Sequence, residues 1–369
     1  MSFPHPDEVT ARLAEFGPPR QIGRSRLGEP ITMVSIGNGP RSALVFAGPH
    51  PNEPIGFLTV PRLAESVTRD DLGFTWHLIG CVDPDGARLN EGWYAGPLSR
   101  ERYFRGFYRP PFDEQVEWTF PDGMPETRAL RAVIDEVRPD LMCSLHNGEV
   151  GGVFYYVSAD RPGLADALAD LPTGIPLHVG DAELPGTQRI RPGVFLFPGH
   201  EFVPGMSSVH YASQYGTFSL VVEVPLWSDP RSSDTTSSGL PRADVFAEVA
   251  DMIDDVRKLP ELPAVPDSPL SRSFLEVQPA AERFANAMRA HQAEGEATVA
   301  ERFGLRQIAH MIRLRACATA LRIVDGEHRQ AFSELFDKWF AEEDSVAEPI
   351  PISKLVDTQV GAILSAAKS

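Results

Sequence analysis

Histidines and carboxylates placed where the chain leaves apolar runs are the residues most able to do chemistry here. In Arg41 to Gly56, RSALVFAGPHPNEPIG, the run Ala43 to Ala47 ends at Gly48-Pro49, and His50 and Glu53 follow three residues apart. A histidine and a carboxylate at that spacing in a strand-to-helix loop can close on one metal ion. A catalytic zinc takes three protein ligands of the His/Glu kind and keeps a fourth position for water. The pattern is unspecific by itself, because His5 to Glu8 and His291 to Glu294 repeat it. Only the middle copy follows an apolar run at a Gly-Pro break, and the carboxyl ends of strands are where open α/β sheets place ligand sites.

A third ligand has five candidates: His77, His146, His178, His200 and His210. His77 lies between Trp76 and Leu78 and reads as a packed side chain. His146 ends the run LMCSL and precedes Asn147-Gly148, the same strand-exit context as His50, so it is the first choice. His200 and His210 fall in a loop and stand as second choices or substrate contacts. The general base should be a carboxylate facing the reacting water. Glu223 stands inside the apolar run SLVVEVPLW, where a charge is costly unless it is paired or functional.

Strands must position these residues. Ala43 to Ala47, Phe74 to Val82, Leu141 to Leu145, Val153 to Val157 and Phe218 to Val224 read as strands, and Ile31 to Ile36 as an edge strand. Residues 7–16, 54–69, 126–137 and 245–256 read as helices, the second with Pro54 in its first turn. Asp83-Pro84-Asp85-Gly86 reads as a turn by composition. The pattern predicts an α/β fold with a mixed, largely parallel sheet flanked by helices. Residues 88–125, rich in aromatics and arginines, resist assignment, and long loops of that kind are often functional. Prolines at 260, 263, 266 and 269 mark a stiff linker over 259–270. Helical segments at about 279–294, 297–324, 328–342 and 353–366 then make a C-terminal all-α extension over 271–369, after a catalytic domain over 1–258.

The bulk composition narrows the function. A net charge of −17, from 51 acidic and 34 basic residues, argues against nucleic-acid and anionic-membrane partners. No apolar stretch reaches the length of a membrane span, and the start lacks a signal-peptide pattern. The 3 cysteines are widely spaced, which suits a reduced, cytoplasmic protein.

The ordered set His50-x-x-Glu53, Asp83-Pro84-Asp85-Gly86, His146 and Glu223-Val224-Pro225 resembles the zinc carboxypeptidase (funnelin) family, related to the aspartoacylase and succinylglutamate desuccinylase deacylases. The resemblance covers about residues 20–258. It implies one zinc ion held by His50, Glu53 and His146, with Glu223 activating water and passing the proton to the leaving amine. It implies that Arg88 polarises the scissile carbonyl. The family's turn usually reads Asn-Pro-Asp-Gly, so Asp83 is a departure. Its Asn-Arg pair for a substrate carboxylate has no counterpart here; Arg105 is the nearest candidate, with Arg100, Arg102 and Arg109 as competitors. Asn90 and Tyr211 are further candidates for substrate contacts, with Tyr215 competing for the role of the family's pocket tyrosine. The expected activity is cleavage of a peptide or small peptide-like substrate, and the alternative is removal of the acyl group from an N-acyl amino acid. A metal-binding scaffold without activity is the alternative of another class. The helical extension could pair two copies of the chain or cap the cleft.

Overall fold

The computed structural model describes residues 2–171, 173–180, 184, 186–203, 205–290, 294–343 and 346–369. The strands, in chain order, are β1 (Arg20–Arg24), β2 (Pro30–Ile36), β3 (Arg41–Ala47), β4 (Phe74–Ile79), β5 (Leu141–Val150), β6 (Phe154–Val157), β7 (Gln188–Arg191), β8 (Val194–Leu196), β9 (Phe218–Ser228), β10 (Ser237–Pro241), β11 (Glu296–Thr298) and β12 (Glu348–Pro349). The helices are α1 (Pro6–Leu13), α2 (Ile55–Arg69), α3 (Pro84–Tyr94), α4 (Arg100–Gly106), α5 (Pro125–Val137), α6 (Leu164–Ala169), α7 (Ser208–Ala212), α8 (Arg242–Asp254), α9 (Pro269–Ala290), α10 (Val299–Leu321), α11 (Gly326–Ala341) and α12 (Ile352–Lys368).

Ten strands form one sheet in the order β1-β2-β4-β3-β5-β9-β6-β8-β7, with β12 added to β9. The central ladders β4–β3, β3–β5 and β5–β9 are parallel, and antiparallel strands complete both sides. The mixed, largely parallel sheet predicted from the sequence is therefore present. β2, expected at the edge, is covered by β1. The central strands are apolar on both faces because helices cover both. Ala43, Val45, Leu145 and Val222 belong to the main core, while Leu44, Phe46 and Met142 belong to a second one with Leu130 and Ile134 of α5. Fully burying one such Val, Leu or Phe side chain contributes about 1.5–3 kcal/mol.

Asp83-Pro84-Asp85-Gly86 begins a helix where the sequence reading has a turn. Asp83 is the N-cap of α3, its carboxylate accepting from the Gly86 N–H at 2.9 Å, and Pro84 takes the first helical position. An acceptor cap followed by proline is a helix start, since both residues suit the first turn's unpaired N–H groups.

The residues beyond 271 are mostly helical, and they do not pack as a separate body. The main core joins Val60, Leu145 and Trp227 to Leu314, Phe332, Trp339 and Ile363. α12 lies against α2, β5 and β9, so the end of the chain is part of the layer covering the sheet. Arg322 of α10 donates to the carbonyls of Leu89, Gly106 and Phe107, at 2.7–2.9 Å. The helices thereby hold the aromatic-rich insertion in place. No helix among the described residues is long and apolar enough to cross a membrane.

Candidate metal centre

Three parallel strands deliver the site. β3 pairs with β5 up to the Ala47–Leu145 rung, and β5 pairs with β9 through Leu145–Val222 and His146–Glu223. After Ala47 the chain must turn sharply. Gly48 makes the turn at φ +66°, and a Cβ there would sit 2.7 Å from the Phe57 ring, so glycine is needed for both reasons. His50 and Glu53 follow in the short loop leading into α2, with the Glu53 N–H donating to the His50 carbonyl at 3.1 Å.

The loop places both side chains against His146. His146 Nδ1 lies 3.1 Å from His50 Nδ1 and 2.9 Å from Glu53 Oε2, and His50 Nδ1 is 3.2 Å from Glu53 Oε1. All three residues are buried, with ligand atoms within 4.8 Å of one another, and no other such group occurs among the described residues. Two histidines and a carboxylate are a donor set suited to catalytic zinc. His146 Nε2 lies 2.7 Å from Ser144 Oγ. Donating its Nε2–H there leaves the Nδ1 lone pair for a cation. His50 Nε2 is buried with no hydrogen-bond partner among the described residues. Two ring nitrogens and a carboxylate converging in a buried space fit a metal ion, and His50, Glu53 and His146 would hold it.

Electrostatics point the same way. Burial, then the Arg109 charge, push His50 down to about 3, so its imidazole is neutral and able to ligate. Burial raises Glu53, but His50 and His146 outweigh it and hold the carboxyl well below its usual range. Burial also lowers His146, and the hydrogen bond to Glu53 with the charge of Glu223 overcomes it, raising the group to about 9. A site that attracts one proton onto His146 in this way releases it when a metal takes its place.

Glu223 shares its rung with His146, and its Oε1 is 3.9 Å from His146 Nδ1. Adjacent residues on one rung of a parallel ladder project to the same face, so the carboxylate stands beside the metal cluster. Arg109 is the arginine brought to the cluster, its Nη1 donating to Glu53 Oε1 at 3.0 Å. It was one competitor among several in the sequence.

Arg88 bonds Asp7, Glu29 and Glu91, at 2.7–3.3 Å, and none of these belongs to the cluster. Arg105 bonds Glu101 and Asp337 and lies over the Phe336 ring, which ties α4 to α11. The Asn90 amide donates to the Gly86 and Tyr108 carbonyls and accepts from the Tyr108 N–H and the Trp93 indole. All four of its bonds are internal, and two of them fix the backbone next to Arg109. Tyr211 donates to Asp135 at 2.7 Å, as does Tyr215 at 2.8 Å.

Among the described residues, the other histidines that the sequence offered lie outside the cluster. His77 contacts Ser35 Oγ at 2.9 Å, and His210 caps α7 at Ser207 and contacts the Pro198 carbonyl. His178 lies against the Phe154 ring, and His200 lies 6.2 Å from the His210 ring. His5 pairs with Glu91; His291 lies outside the described residues. Glu117 escaped sequence reading. Its carboxyl is buried, accepts from Ser208 Oγ at 2.7 Å and is pushed up to about 7 by burial.

No family model matches the chain, and no curated protein matches it. Among solved structures, a metallo-carboxypeptidase from Burkholderia cenocepacia is similar at 17% identity and a TM-score of 0.41, over 59% of this chain and 60% of that one. The Pseudomonas aeruginosa metallo-carboxypeptidase, in complex with (2-guanidinoethylmercapto)succinic acid, is similar at 18% identity and a TM-score of 0.39, over 59% of this chain and 58% of that one. The murein-tripeptide amidase MpaA from Escherichia coli O157 is similar at 16% identity and a TM-score of 0.34, over 76% of this chain and 96% of that one.

Proposed function

We propose that the chain is a zinc-dependent hydrolase of amide bonds, a metallocarboxypeptidase acting on a peptide or small peptide-like substrate. One observation carries the reading: the buried ligand atoms of His50, Glu53 and His146 converge, with Glu223 on the neighbouring strand beside them. A zinc ion held there supplies a Lewis acid that lowers the pKa of water and polarises a carbonyl. Glu223 Oε1 takes the proton from the attacking water and returns it to the leaving nitrogen, so the carboxylate ends the cycle as it began. The Arg109 guanidinium, partly exposed and bonded to Glu53, offers its remaining N–H groups to negative charge on the substrate.

One arginine at the cluster suits a substrate with one carboxylate, which both a peptide C-terminus and an N-acyl amino acid provide. Product analysis of the zinc-loaded protein with C-terminally free peptides and with N-acyl amino acids tests the reading. Release of the last amino acid from peptides supports it. Turnover of N-acyl amino acids alone replaces it with deacylation, and turnover of neither class leaves the scaffold alternative.

A further inference from the structure

We infer that Gln359, on the C-terminal helix, is a positioning residue for the metal centre, linking the strand that carries His146 to the helix that follows Glu53. The inference rests on the metal-site reading above. β5 outlasts β3: the last β3–β5 rung is Ala47–Leu145, so from His146 onward the ladder partner is on β9 alone. At that first residue past the rung, Gln359 Nε2 donates to the His146 carbonyl at 2.9 Å. The other end of the amide, Oε1, accepts from Thr59 Oγ1 of α2 at 2.6 Å.

The connections close into a ring. The one Thr59 hydroxyl proton is shared with the Ile55 carbonyl, 3.1 Å away in the first turn of α2. The Ile55 N–H donates to Asn147 Oδ1 at 3.2 Å, and the Asn147 N–H points to Glu53 Oε2 at 3.4 Å. The ring therefore joins the backbone at His146, the carboxylate of Glu53 and the start of α2 through one side chain, 213 residues from His146 in sequence.

The chemistry fixes the orientation of that side chain. A backbone carbonyl only accepts, so the amide nitrogen must face His146 and the amide oxygen must face the Thr59 hydroxyl. Thr59 and Gln359 are both fully buried, and the residues that α12 buries beside Gln359, Leu355, Ala362 and Ile363 among them, are apolar except Thr358. A buried amide costs free energy unless its bonds are made, and a leucine would suit that apolar layer better. Its bonds land instead on the backbone that aims a metal ligand. Partners that orient ligating side chains typically hold about 10–100-fold of metal affinity.

The test uses the full chain, stripped of metal, then titrated with zinc against a chromophoric chelator and examined with cobalt(II) by visible absorption. The wild type should take up one equivalent. Gln359→Leu should keep its far-ultraviolet dichroism and a cooperative melt, bind zinc about 10–100-fold more weakly, and give altered cobalt bands. Thr59→Val should weaken binding in the same direction, and the double variant should bind no more weakly than Gln359→Leu, because both substitutions break one connection. Gln359→Leu binding zinc within about twofold of wild type, with the wild-type cobalt spectrum, overturns the inference. If Gln359→Leu does not fold, Thr59→Val decides on the same two readouts. A wild-type chain that takes up no zinc overturns the metal-site reading itself, and this inference with it.

Discussion

His146 and Glu223 occupy the same rung of the parallel β5–β9 ladder, with Nδ1 and Oε1 3.9 Å apart. The sheet thus brings the proposed metal ligand and the proposed proton acceptor together, without help from any loop. A glutamine in place of Glu223 keeps the shape and loses the base. Glu223→Gln should therefore retain its zinc and lose turnover by about 10²–10⁴-fold. Zinc content by elemental analysis with kcat on the best substrate checks this, and near-normal turnover would remove Glu223 from the chemistry.

Arg109 and Arg88 give opposite expectations. Arg109 reaches Glu53, whereas Arg88 is occupied by Asp7, Glu29 and Glu91. Arg109→Ala should lower kcat/KM by about 10²-fold or more. Arg88→Ala should leave kcat/KM within a few-fold, since its ion pairs are partly exposed and contribute little. The reverse ranking in steady-state kinetics would return the role to Arg88.

The four residues of the candidate cluster could be picked out in the sequence because each stands in, at the end of, or just after an apolar run. His50 and Glu53 follow Ala43 to Ala47, His146 ends LMCSL, and Glu223 breaks SLVVEVPLW. The period of a buried strand locates such residues without knowledge of the partner strand. Arg109 could not be singled out from its competitors and Gln359 was not legible at all, because long-range packing brings them in. Arg109 depends on the Asn90 clasp around Tyr108, and Gln359 on α12 docking beside α2. Arg88 lies away from the cluster for a local reason: Asp83 caps a helix, and that helix carries Arg88 to Asp7 and Glu29. The proline-rich linker marked where the helical extension begins, yet composition says nothing about where a helix docks.

That docking has an energetic consequence. Ile363 is fully buried in the core shared by the sheet and the helices. Ile363→Ala should cost about 2–5 kcal/mol, measured by urea unfolding at one pH. Ending the chain at 351 removes all of α12 and should abolish the cooperative melt. A truncated chain that melts like the full one would mean that α12 adds nothing to the cooperative core.

Asp83 provides a pH dependence. Burial raises its carboxyl from 3.8 to about 6; Arg26, 2.8 Å away, pulls against this, and Glu126 adds to the rise. The folded chain therefore holds this proton more tightly than the unfolded chain. Its stabilising contribution is complete below 3.8 and is lost as the pH rises through about 6. The size is on the order of 3 kcal/mol. Asp83→Asn removes the titration, so the stability of wild type relative to the variant should fall as the pH rises from 3.8 to about 6. Parallel stability curves in urea over that range would mean that Asp83 titrates alike in both states.

The central claim is that His50, Glu53 and His146 hold one metal ion, and anomalous diffraction at the zinc edge tests it most directly. Crystals of the zinc-loaded protein should show one strong anomalous peak, about 2.0–2.2 Å from His50 Nδ1, His146 Nδ1 and the Glu53 carboxylate. An empty cluster, or a peak held by other residues, would contradict the account.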